Sequence, residues 1–383
     1  MKIILDIGPL LVESVGIRYY TINLVRNILK LNGGREFLLF PFLTEETNKN
    51  FERLNYKCFV IKEQYRKWLF AILSSLGGGN LISKRYLNHW DLFWTSGTFL
   101  LPIRCKIVGT VHDLTTIMYP QFHNRNVIRH HDKVFHYFKK KASLLIAVSE
   151  NTKIDVMKYL NIPEKKIRVI YHGVEKEFQK IEDEEYLKAR LSGMGIGYPY
   201  ILYVGTLEPR KNVERLIEAF IQLKKRKQIN EKLVISGIKG WGYQSIFDKV
   251  ASSGIEKEII FTGFVPNEFL PFLYNGASAF VYPSLYEGFG LPVLEAMACG
   301  VPVVTSNVSS LPEVAGDAAI LINPYSVDEL ADGIWRILSD EDLRNSCITK
   351  GIERAKSFTW ERCAMETLKA FNEVYDGSTF LSR

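Results

Sequence analysis

Cysteine is scarce in this sequence, and long apolar runs are missing. The 383 residues contain five scattered cysteines: Cys58, Cys105, Cys299, Cys347 and Cys363. The absence of CxxC spacing predicts a reduced protein without a cysteine zinc site. No apolar run approaches the roughly 18 residues that a transmembrane helix needs. Because Asp6 ends the first apolar run after residues 3–5, we predict no signal peptide and expect a cytoplasmic protein.

Tandem repeats and low-complexity tracts are also absent, which excludes solenoid and disordered classes. The length and the 47% hydrophobic and 24% charged content suit a soluble protein of two domains. Residues 1–178 carry 27 Lys and Arg against 15 Asp and Glu, a net +12, and the remaining 22 against 27 give −5. Solvated helix faces explain the basic half as well as a phospholipid surface or a lipid-pyrophosphate acceptor does. Nucleic acid is disfavoured because no binding motif for it occurs.

One stretch in the C-terminal half predicts an anion site. An apolar strand, residues 279–282, runs into a glycine-rich turn, and Pro292 occupies the first helical position that proline favours. The predicted helix covers residues 293–299 and ends at Gly300. The first N–H groups of a helix have no partner within it and carry the positive end of its dipole, so such a turn attracts anions.

Two glycines and two acids surround this turn. Gly288 and Gly290 have no Cβ, so a ligand can approach the backbone closely. Glu287 precedes the turn and Glu295 follows within the helix. An anion site flanked by two carboxylates predicts a ligand that also presents hydroxyl groups, such as a phosphorylated sugar. The alternative is an ordinary strand-to-helix turn with surface acids.

The complete pattern is more specific than its parts. Glu-x7-Glu encloses Gly-Phe-Gly-Leu-Pro and continues into Glu-Ala-Met-Ala-Cys-Gly-Val-Pro-Val-Val. It resembles the nucleotide-sugar site of family 4 retaining glycosyltransferases of the GT-B fold, most strongly over residues 200–325. The resemblance implies that Glu287 binds the sugar hydroxyls beside the oxocarbenium-like centre and that Glu295 accepts from the ribose hydroxyls. It places the donor on Gly288, Phe289, Gly290 and Leu291.

A second strand-to-helix turn, Gly-Thr-Leu-Glu-Pro-Arg-Lys-Asn, contains two adjacent cations. Arg210 and Lys211 can grip a diphosphate, although a plain surface turn is the alternative. The resemblance implies that these two residues hold the leaving diphosphate, with Thr206 where many members have arginine. This variant resembles the bacterial mannosyl- and rhamnosyltransferase branch. We therefore expect GDP-mannose as donor, with UDP and dTDP sugars as the alternative.

Further donor contacts follow from weaker matches. His112 ends a predicted strand, residues 106–111, and a lone histidine there is more often structural. The resemblance implies that it touches the donor sugar. Gly16 matches a loop under the donor diphosphate, where the earlier glycine of the family is replaced by Val15. Val265, in Phe-Val-Pro, matches the segment whose backbone meets the nucleobase.

Strands alternate with helices along the chain, which predicts parallel doubly wound sheets. In the first half, strands are expected at residues 2–8, 36–42, 57–61, 91–95, 106–111, 144–148 and 167–171. A helix is expected at residues 20–31. The fold class is therefore α/β, and the resemblance implies two Rossmann-like domains facing across a cleft. We predict an acceptor-binding domain at 1–178, a nucleotide-sugar-binding domain at 179–357 and a last helix, 358–383, that crosses back to the first domain.

Three motifs invite other interpretations. The glycines at 193, 195 and 197 precede a strand, residues 200–204, whereas a dinucleotide fingerprint follows one. Asp340-Glu341-Asp342 imitates a metal-binding DxD motif, but Asp340 suits a helix N-cap, so we predict no metal and no cofactor. The basic and aromatic residues 66–73, followed by glycines 77–79, fit either a core helix or a membrane-surface contact.

The sequence thus predicts a metal-independent retaining glycosyltransferase of bacterial surface polysaccharide synthesis. It would move mannose from GDP-mannose to a hydroxyl of a glycan or lipid-linked acceptor. One alternative is a UDP- or dTDP-sugar-dependent transferase of the same fold, and another is a phosphorylase or epimerase of that fold. The third is a non-catalytic relative that binds carbohydrate or membrane. A peripheral contact with the inner face of the cell membrane stays open.

Overall fold

The computed structural model describes residues 1–11, 15–58, 60–62, 87, 89–101, 103–197 and 199–377. The segments 66–73 and 77–79, predicted as a core helix or a membrane contact, lie outside the described residues. The chain divides into two compact units, here called the N-terminal and the C-terminal unit. The N-terminal unit comprises Met1–Met118, Asn124–Gly173 and Trp360–Arg383. The C-terminal unit comprises Tyr119–His123 and Val174–Thr359.

The division differs in detail from the predicted domains. The units change over between Gly173 and Val174 rather than at residue 178, and the short segment Tyr119–His123 joins the C-terminal unit. The last helix begins at Trp360 rather than at residue 358 and belongs to the N-terminal unit. The assignment of acceptor and donor to the two units stays a prediction.

The N-terminal unit is built on a parallel sheet of six strands in the order β2-β1-β5-β6-β7-β8. Two further strands, β3 and β4, pair with each other in a separate small sheet. The strands are β1 Lys2–Asp6, β2 Glu36–Phe40, β3 Leu43–Thr44, β4 Val60–Ile61, β5 Leu92–Thr95, β6 Lys106–Val111, β7 Ala142–Ala147 and β8 Ile167–Val169. In most strands of the six-stranded sheet, the central residues are buried, as expected for a parallel sheet that helices cover on both faces.

The C-terminal unit repeats this plan with the order β11-β10-β9-β12-β13-β14. Its strands are β9 Tyr200–Val204, β10 Lys232–Ser236, β11 Ile259–Gly263, β12 Ala279–Tyr282, β13 Val303–Ser306 and β14 Ala319–Ile322. The strand order reverses between β9 and β12, which are neighbours and pair in parallel. Ligands of open α/β sheets bind outside the carboxyl ends of the strands at such a switch point. The loops that follow β9 and β12 therefore define the place to search for a site.

Helices connect most of the strands. Those of the N-terminal unit are α1 Val15–Lys30, α2 Glu45–Asn48, α3 Thr115–Met118, α4 Arg125–Lys141 and α5 Glu150–Leu160, with α14 Trp360–Asp376 at the chain's end. Those of the C-terminal unit are α6 Glu184–Gly193, α7 Val213–Arg226, α8 Gln244–Ala251, α9 Leu270–Asn275, α10 Leu291–Ala298, α11 Leu311–Ala315, α12 Val327–Ser339 and α13 Glu341–Lys356. Within the described ranges, no helix has the length and apolar character needed to cross a membrane.

Two predictions about these elements were wrong. Helix α1 begins at Val15 rather than at residue 20, so Gly16 lies in its first turn instead of in the loop before it. Within the strand predicted at residues 57–61, Lys57 forms a parallel bridge to Leu38 of β2, whereas β4 pairs with β3 in the small sheet. Short apolar runs do not reveal which sheet they will join, because pairing is decided by distant partners.

Candidate active site

Two loops at the switch point of the C-terminal unit are bound to each other. The loop after β9 ends in a short 3-10 turn, Pro209–Lys211, before α7, and the loop after β12 leads into α10. The Leu285 N–H donates to the Arg210 carbonyl at 2.8 Å. The Asn212 side chain donates to the Pro283 carbonyl at 2.9 Å and to the Pro324 carbonyl at 2.7 Å. The two loops are thus held in one arrangement by the chain itself.

Hydroxyl groups from neighbouring segments fix the loop after β12 further. Thr305 and Ser306, in β13, donate to the carbonyls of Tyr282 and Ser284 at 2.8 and 2.7 Å. The buried Ser310 hydroxyl lies 2.9 Å from the Glu287 carbonyl and 2.6 Å from that of Phe289. Backbone groups that are satisfied in this way need little rearrangement when a ligand arrives, which is the condition for a preorganised site.

Four charged side chains of these loops form an ion cluster: Glu208, Arg210, Lys211 and Glu287. The Lys211 ammonium lies 2.6 Å from Glu287 Oε1, and Arg210 lies 3.1 Å from Glu287 Oε2. Arg210 also reaches Glu208 at 2.6 Å and donates to the Tyr286 carbonyl at 2.7 Å. The side chains of Arg210, Lys211 and Glu287 are 10 to 14% exposed, so the charges are shielded from water and interact strongly.

The ionisation of Glu287 follows from this arrangement. Burial by itself raises the pKa of the carboxyl. Arg210 and Lys211 together lower the pKa by more than burial raises it, and the resulting pKa is about 2. Glu287 is therefore a carboxylate over the whole physiological pH range. Tyr282, at the end of β12, connects the pair, since its hydroxyl lies 2.6 Å from Lys211 Nζ and 3.1 Å from Glu287 Oε1.

The helix that follows the glycine turn begins at Leu291, two residues before the predicted residue 293. Gly290 precedes α10 with φ +118° and ψ +46°, a conformation that side chains with a Cβ rarely adopt. A Cβ there would also stand 2.8 Å from a Leu311 methyl carbon. Leu291 is the first helical residue, so Pro292 takes the second position rather than the predicted first. Gly288 and Phe289 are buried in the same turn, directly ahead of the N-terminus of α10.

Glu295 lies deeper in α10 and behaves differently from Glu287. The residue is 8% exposed, and its carboxyl accepts a 2.9 Å hydrogen bond from Tyr274, in α9. Burial raises the pKa of Glu295 to about 7, and the Tyr274 hydrogen bond only partly opposes this effect. The two acids of the site thus differ in their partners: Glu287 has two cations, and Glu295 has a neutral phenol.

The remaining predicted residues of the C-terminal unit lie at the carboxyl end of the same sheet. Thr206 follows β9 and is partly buried, and its carbonyl accepts from Tyr203 at 3.3 Å. Val265 is 8% exposed two residues after β11. Their contacts with a nucleotide stay predictions. Together with the ion cluster, the turn before α10 and Glu295, they surround the crevice edge that the topology marks.

His112 and Gly16 belong to the N-terminal unit. His112 follows β6 directly, and its ring meets Tyr20 edge-on at a centroid distance of 4.7 Å. Burial lowers the pKa of His112 to about 4, so the imidazole is neutral at physiological pH. Its Nε2 atom has no hydrogen-bond partner among the described residues. Gly16 is exposed, with open space where a Cβ would stand. Contact of either residue with the donor stays a prediction.

Sequence reasoning missed several residues that build the site. They are Glu208, Asn212, Tyr274, Tyr282 and Ser310. Glu208 could have been suspected from its place beside the two cations. The others are polar groups whose partners lie on distant segments, and no local spacing reveals such pairs.

Two of the alternative motifs lie where the sequence predicted. Asp340 caps α13 by accepting from the Leu343 N–H at 2.9 Å. The glycines at 193, 195 and 197 precede β9, so they do not form a dinucleotide fingerprint. Across the part of the chain that the structure describes, no three His, Cys, Asp or Glu side chains are grouped to hold a metal.

Solved structures with the same architecture define the class of protein. The sucrose-phosphate synthase of Thermosynechococcus elongatus superposes with a TM-score of 0.76 at 22% identity, covering 99% of this chain and 100% of that one. Anabaena HepE in complex with UDP-glucose gives 0.72 at 18% identity, covering 97% and 100%. At such identities the likeness shows the fold alone, and that fold is GT-B, with two parallel six-stranded α/β units.

Sequence similarity narrows the class to a family. Residues 193–354 match the family model described as glycosyl transferases group 1, and residues 81–178 match glycosyltransferase family 4. The chain is 33% identical to O-antigen chain mannosyltransferase B of Escherichia coli over 384 residues, covering 97% of this chain and 99% of the relative. The chain therefore belongs to the family 4 glycosyltransferases.

Proposed function

We propose that this glycosyltransferase moves mannose from GDP-mannose to a hydroxyl of a lipid-linked glycan in bacterial surface polysaccharide synthesis, with retention and without a metal. The observation that carries the proposal is the buried ion cluster at the switch point, in a chain that matches an O-antigen mannosyltransferase along nearly its whole length. The relative's printed name supports mannose as the sugar and the polysaccharide as the product.

The ion cluster can stabilise the charge that develops during the reaction. As the glycosidic bond of the donor breaks, negative charge grows on the leaving diphosphate. Arg210, Lys211 and the positive N-terminal end of the α10 dipole stabilise this charge by preorganised electrostatics. Arg210 releases Glu208 or Glu287 to do so, since both acids contact its guanidinium.

Glu287 and Glu295 then bind different parts of the donor, the sugar and the ribose. Glu287, ionised at all relevant pH values, orients the sugar hydroxyls and stabilises the oxocarbenium-like centre. Glu295 accepts from the ribose hydroxyls, and neutral His112 contacts the sugar. A donor phosphate oxygen takes the acceptor proton, so the reaction needs no second acid beside Glu287 and proceeds without a covalent sugar–enzyme intermediate.

Thermal unfolding with GDP, UDP and dTDP, each at millimolar concentration without metal, tests the donor. A ligand at 100 times its dissociation constant adds about 2.7 kcal/mol to the free energy of unfolding, which is a readily measured shift. We expect a thermal shift with GDP alone. In a separate turnover assay, we expect the protein to release GDP from GDP-mannose in the presence of a lipid-linked glycan.

The other outcomes decide between the alternatives. A shift with UDP or dTDP alone keeps the site and replaces the donor. Sugar phosphate formed from donor and free phosphate identifies a phosphorylase, and turnover of the donor without acceptor identifies an epimerase. Absence of a shift with all three nucleotides contradicts the nucleotide site and favours a non-catalytic binding protein. Addition of EDTA leaves turnover unchanged if no metal takes part.

A further inference from the structure

The side chain of Tyr274 is buried against the acid that is expected to hold the ribose. The residue is 0% exposed and lies in α9, which packs beside α10. Its hydroxyl donates to Glu295 Oε2 at 2.9 Å. Phe178 and Phe280 meet its ring edge-on, at centroid distances of 5.9 and 5.3 Å. The phenol is therefore fixed in position before any ligand binds.

The two oxygens of Glu295 are not equivalent. Tyr274 engages Oε2, whereas no hydrogen bond within the described part of the chain engages Oε1. The residue keeps 8% of its surface exposed and lies one turn into α10, the helix that follows the carboxyl end of β12. A carboxylate tethered through one oxygen cannot rotate freely, so the direction of its second oxygen is set. A glutamate without this tether would lose that orientation through its flexible side chain.

We propose that Tyr274 is a positioning residue, which holds Glu295 through Oε2 so that Oε1 is aimed at the ribose hydroxyls of the donor nucleotide. The inference rests on the proposed function, because it takes from there the role of Glu295 as ribose acceptor. It adds a residue that touches neither the substrate nor the ion cluster.

The surroundings of Glu295 explain why a tether is needed. Burial and the nearby Glu175 both raise the pKa of Glu295, and the Tyr274 hydrogen bond lowers it. Cys299, the residue directly after α10, also lies close. Without the phenol, the pKa of Glu295 would rise further and a larger fraction of the carboxyl would be neutral. A neutral carboxyl loses one acceptor position to its proton and binds a diol less well.

The chain offers a matched control. Tyr200, in β9, is also 0% exposed and donates its hydroxyl to the Leu273 carbonyl at 2.7 Å. Tyr200→Phe therefore removes a buried phenol hydroxyl beside α9 without touching Glu295. Tyr274→Phe removes the tether and keeps the ring. Any general loosening of α9 should affect both variants.

The test compares a nucleoside diphosphate with its 2′,3′-dideoxy counterpart by calorimetry in the wild type and both variants. GDP is the probe, or whichever diphosphate stabilises the wild type. The dissociation constant of the dideoxy compound divided by that of the normal nucleoside diphosphate isolates the contribution of the ribose hydroxyls, since base and phosphates are unchanged. We expect the ratio to fall about tenfold in Tyr274→Phe, the effect of one hydrogen bond to a charged group, and to stay constant in Tyr200→Phe.

Two further arms make the result decisive. In a Glu295→Gln background, Tyr274→Phe should lower the ratio no further, because the phenol acts through the carboxylate. In Tyr274→Phe alone, the pH at which the ratio is half-maximal should rise above the wild-type value. An unchanged ratio in Tyr274→Phe, or an equal fall in Tyr200→Phe, overturns the inference while the proposed function stands. A wild type that binds no nucleoside diphosphate overturns both.

Discussion

At the scale of single residues, Glu287 and Glu295 should affect stability with opposite signs. The folded-state pKa of Glu295 is about 7, against 4.5 for an unperturbed glutamate. The folded protein therefore binds more protons than the unfolded chain between these values, and stability falls as pH rises through that window. Glu295→Gln removes this loss. We expect it to raise the free energy of unfolding of the ligand-free protein by up to about 3 kcal/mol at pH 8, and to change it little at pH 4.

Glu287→Gln is the matched control in the same urea titrations. The pKa of Glu287 is depressed to about 2, so its contribution is present above pH 4.5 and is lost only as pH falls toward 2. The substitution leaves Lys211 buried without a carboxylate partner and Arg210 with Glu208 as its one remaining acid in the cluster. It should lower the free energy of unfolding by about 3–5 kcal/mol at pH 8. Loss of stability in both variants at pH 8 would contradict the assignment of Glu295.

The same two residues show what could be predicted at this scale. Their spacing and the glycines between them indicate a site, since the residue types are local information. The different ionisation of the two acids was not predictable. It depends on Arg210 and Lys211 beside one acid and on Tyr274 beside the other, and these partners come from other elements of the fold.

At the scale of elements, the close approach of β9 and β10 at their carboxyl ends depends on a glycine. Gly237 follows β10, and a Cβ there would stand 1.8 Å from the Gly205 carbonyl oxygen, far inside contact distance. The loop carrying Arg210 begins at Gly205. Gly237→Ala should therefore force the two strand ends apart, lower the free energy of unfolding and weaken nucleotide binding.

Gly254→Ala provides the comparison for this substitution. Gly254 has φ +73° and open space around the Cβ position, so alanine there pays only for its backbone conformation, about 1 kcal/mol. We expect Gly237→Ala to cost at least about 2 kcal/mol more in chemical unfolding. Equal losses in the two variants would show that steric overlap at the strand ends is relieved without consequence.

The elements themselves were predicted unevenly. Strands β9 and β12 have the predicted bounds, because continuous apolar runs are bordered there by proline, glycine or polar residues. Helix α1 was placed too late, since Gly16 was taken as a loop residue although the helix includes it. Propensity is a weak guide where packing decides, and α1 packs against α14 from the far end of the sequence.

At the scale of the whole molecule, the last helix completes the unit to which the first strand belongs. Phe371 of α14 is 0% exposed, and Arg35 and Arg168 bind Asn372 and Glu373 at 3.2 and 3.1 Å. Phe371→Ala should lower the stability of the N-terminal unit by about 3–5 kcal/mol. Hydrogen exchange followed by mass spectrometry should show faster exchange in β1, β5 and β6 and unchanged protection in β9 to β14.

Met365→Ala is the control on the same helix. Its side chain is 53% exposed, so its removal should change stability by less than about 0.5 kcal/mol. The nucleotide-induced thermal shift should persist in both variants, since the ion cluster belongs to the C-terminal unit. Faster exchange throughout β9 to β14 in Phe371→Ala would contradict the division of the chain into these two units.

The sequence by itself determined the α/β class, the switch-point loops and the principal charged residues, because periodicity, glycine placement and motif spacing are local properties. Only the tertiary structure decided which polar groups meet: Lys211 with Glu287 and Tyr282, and Tyr274 with Glu295. It also decided which residues of the last helix bind the N-terminal unit, such as Asn372 and Glu373. These contacts join segments that are far apart in the chain, and their energies depend on burial, which exists only after the chain has folded.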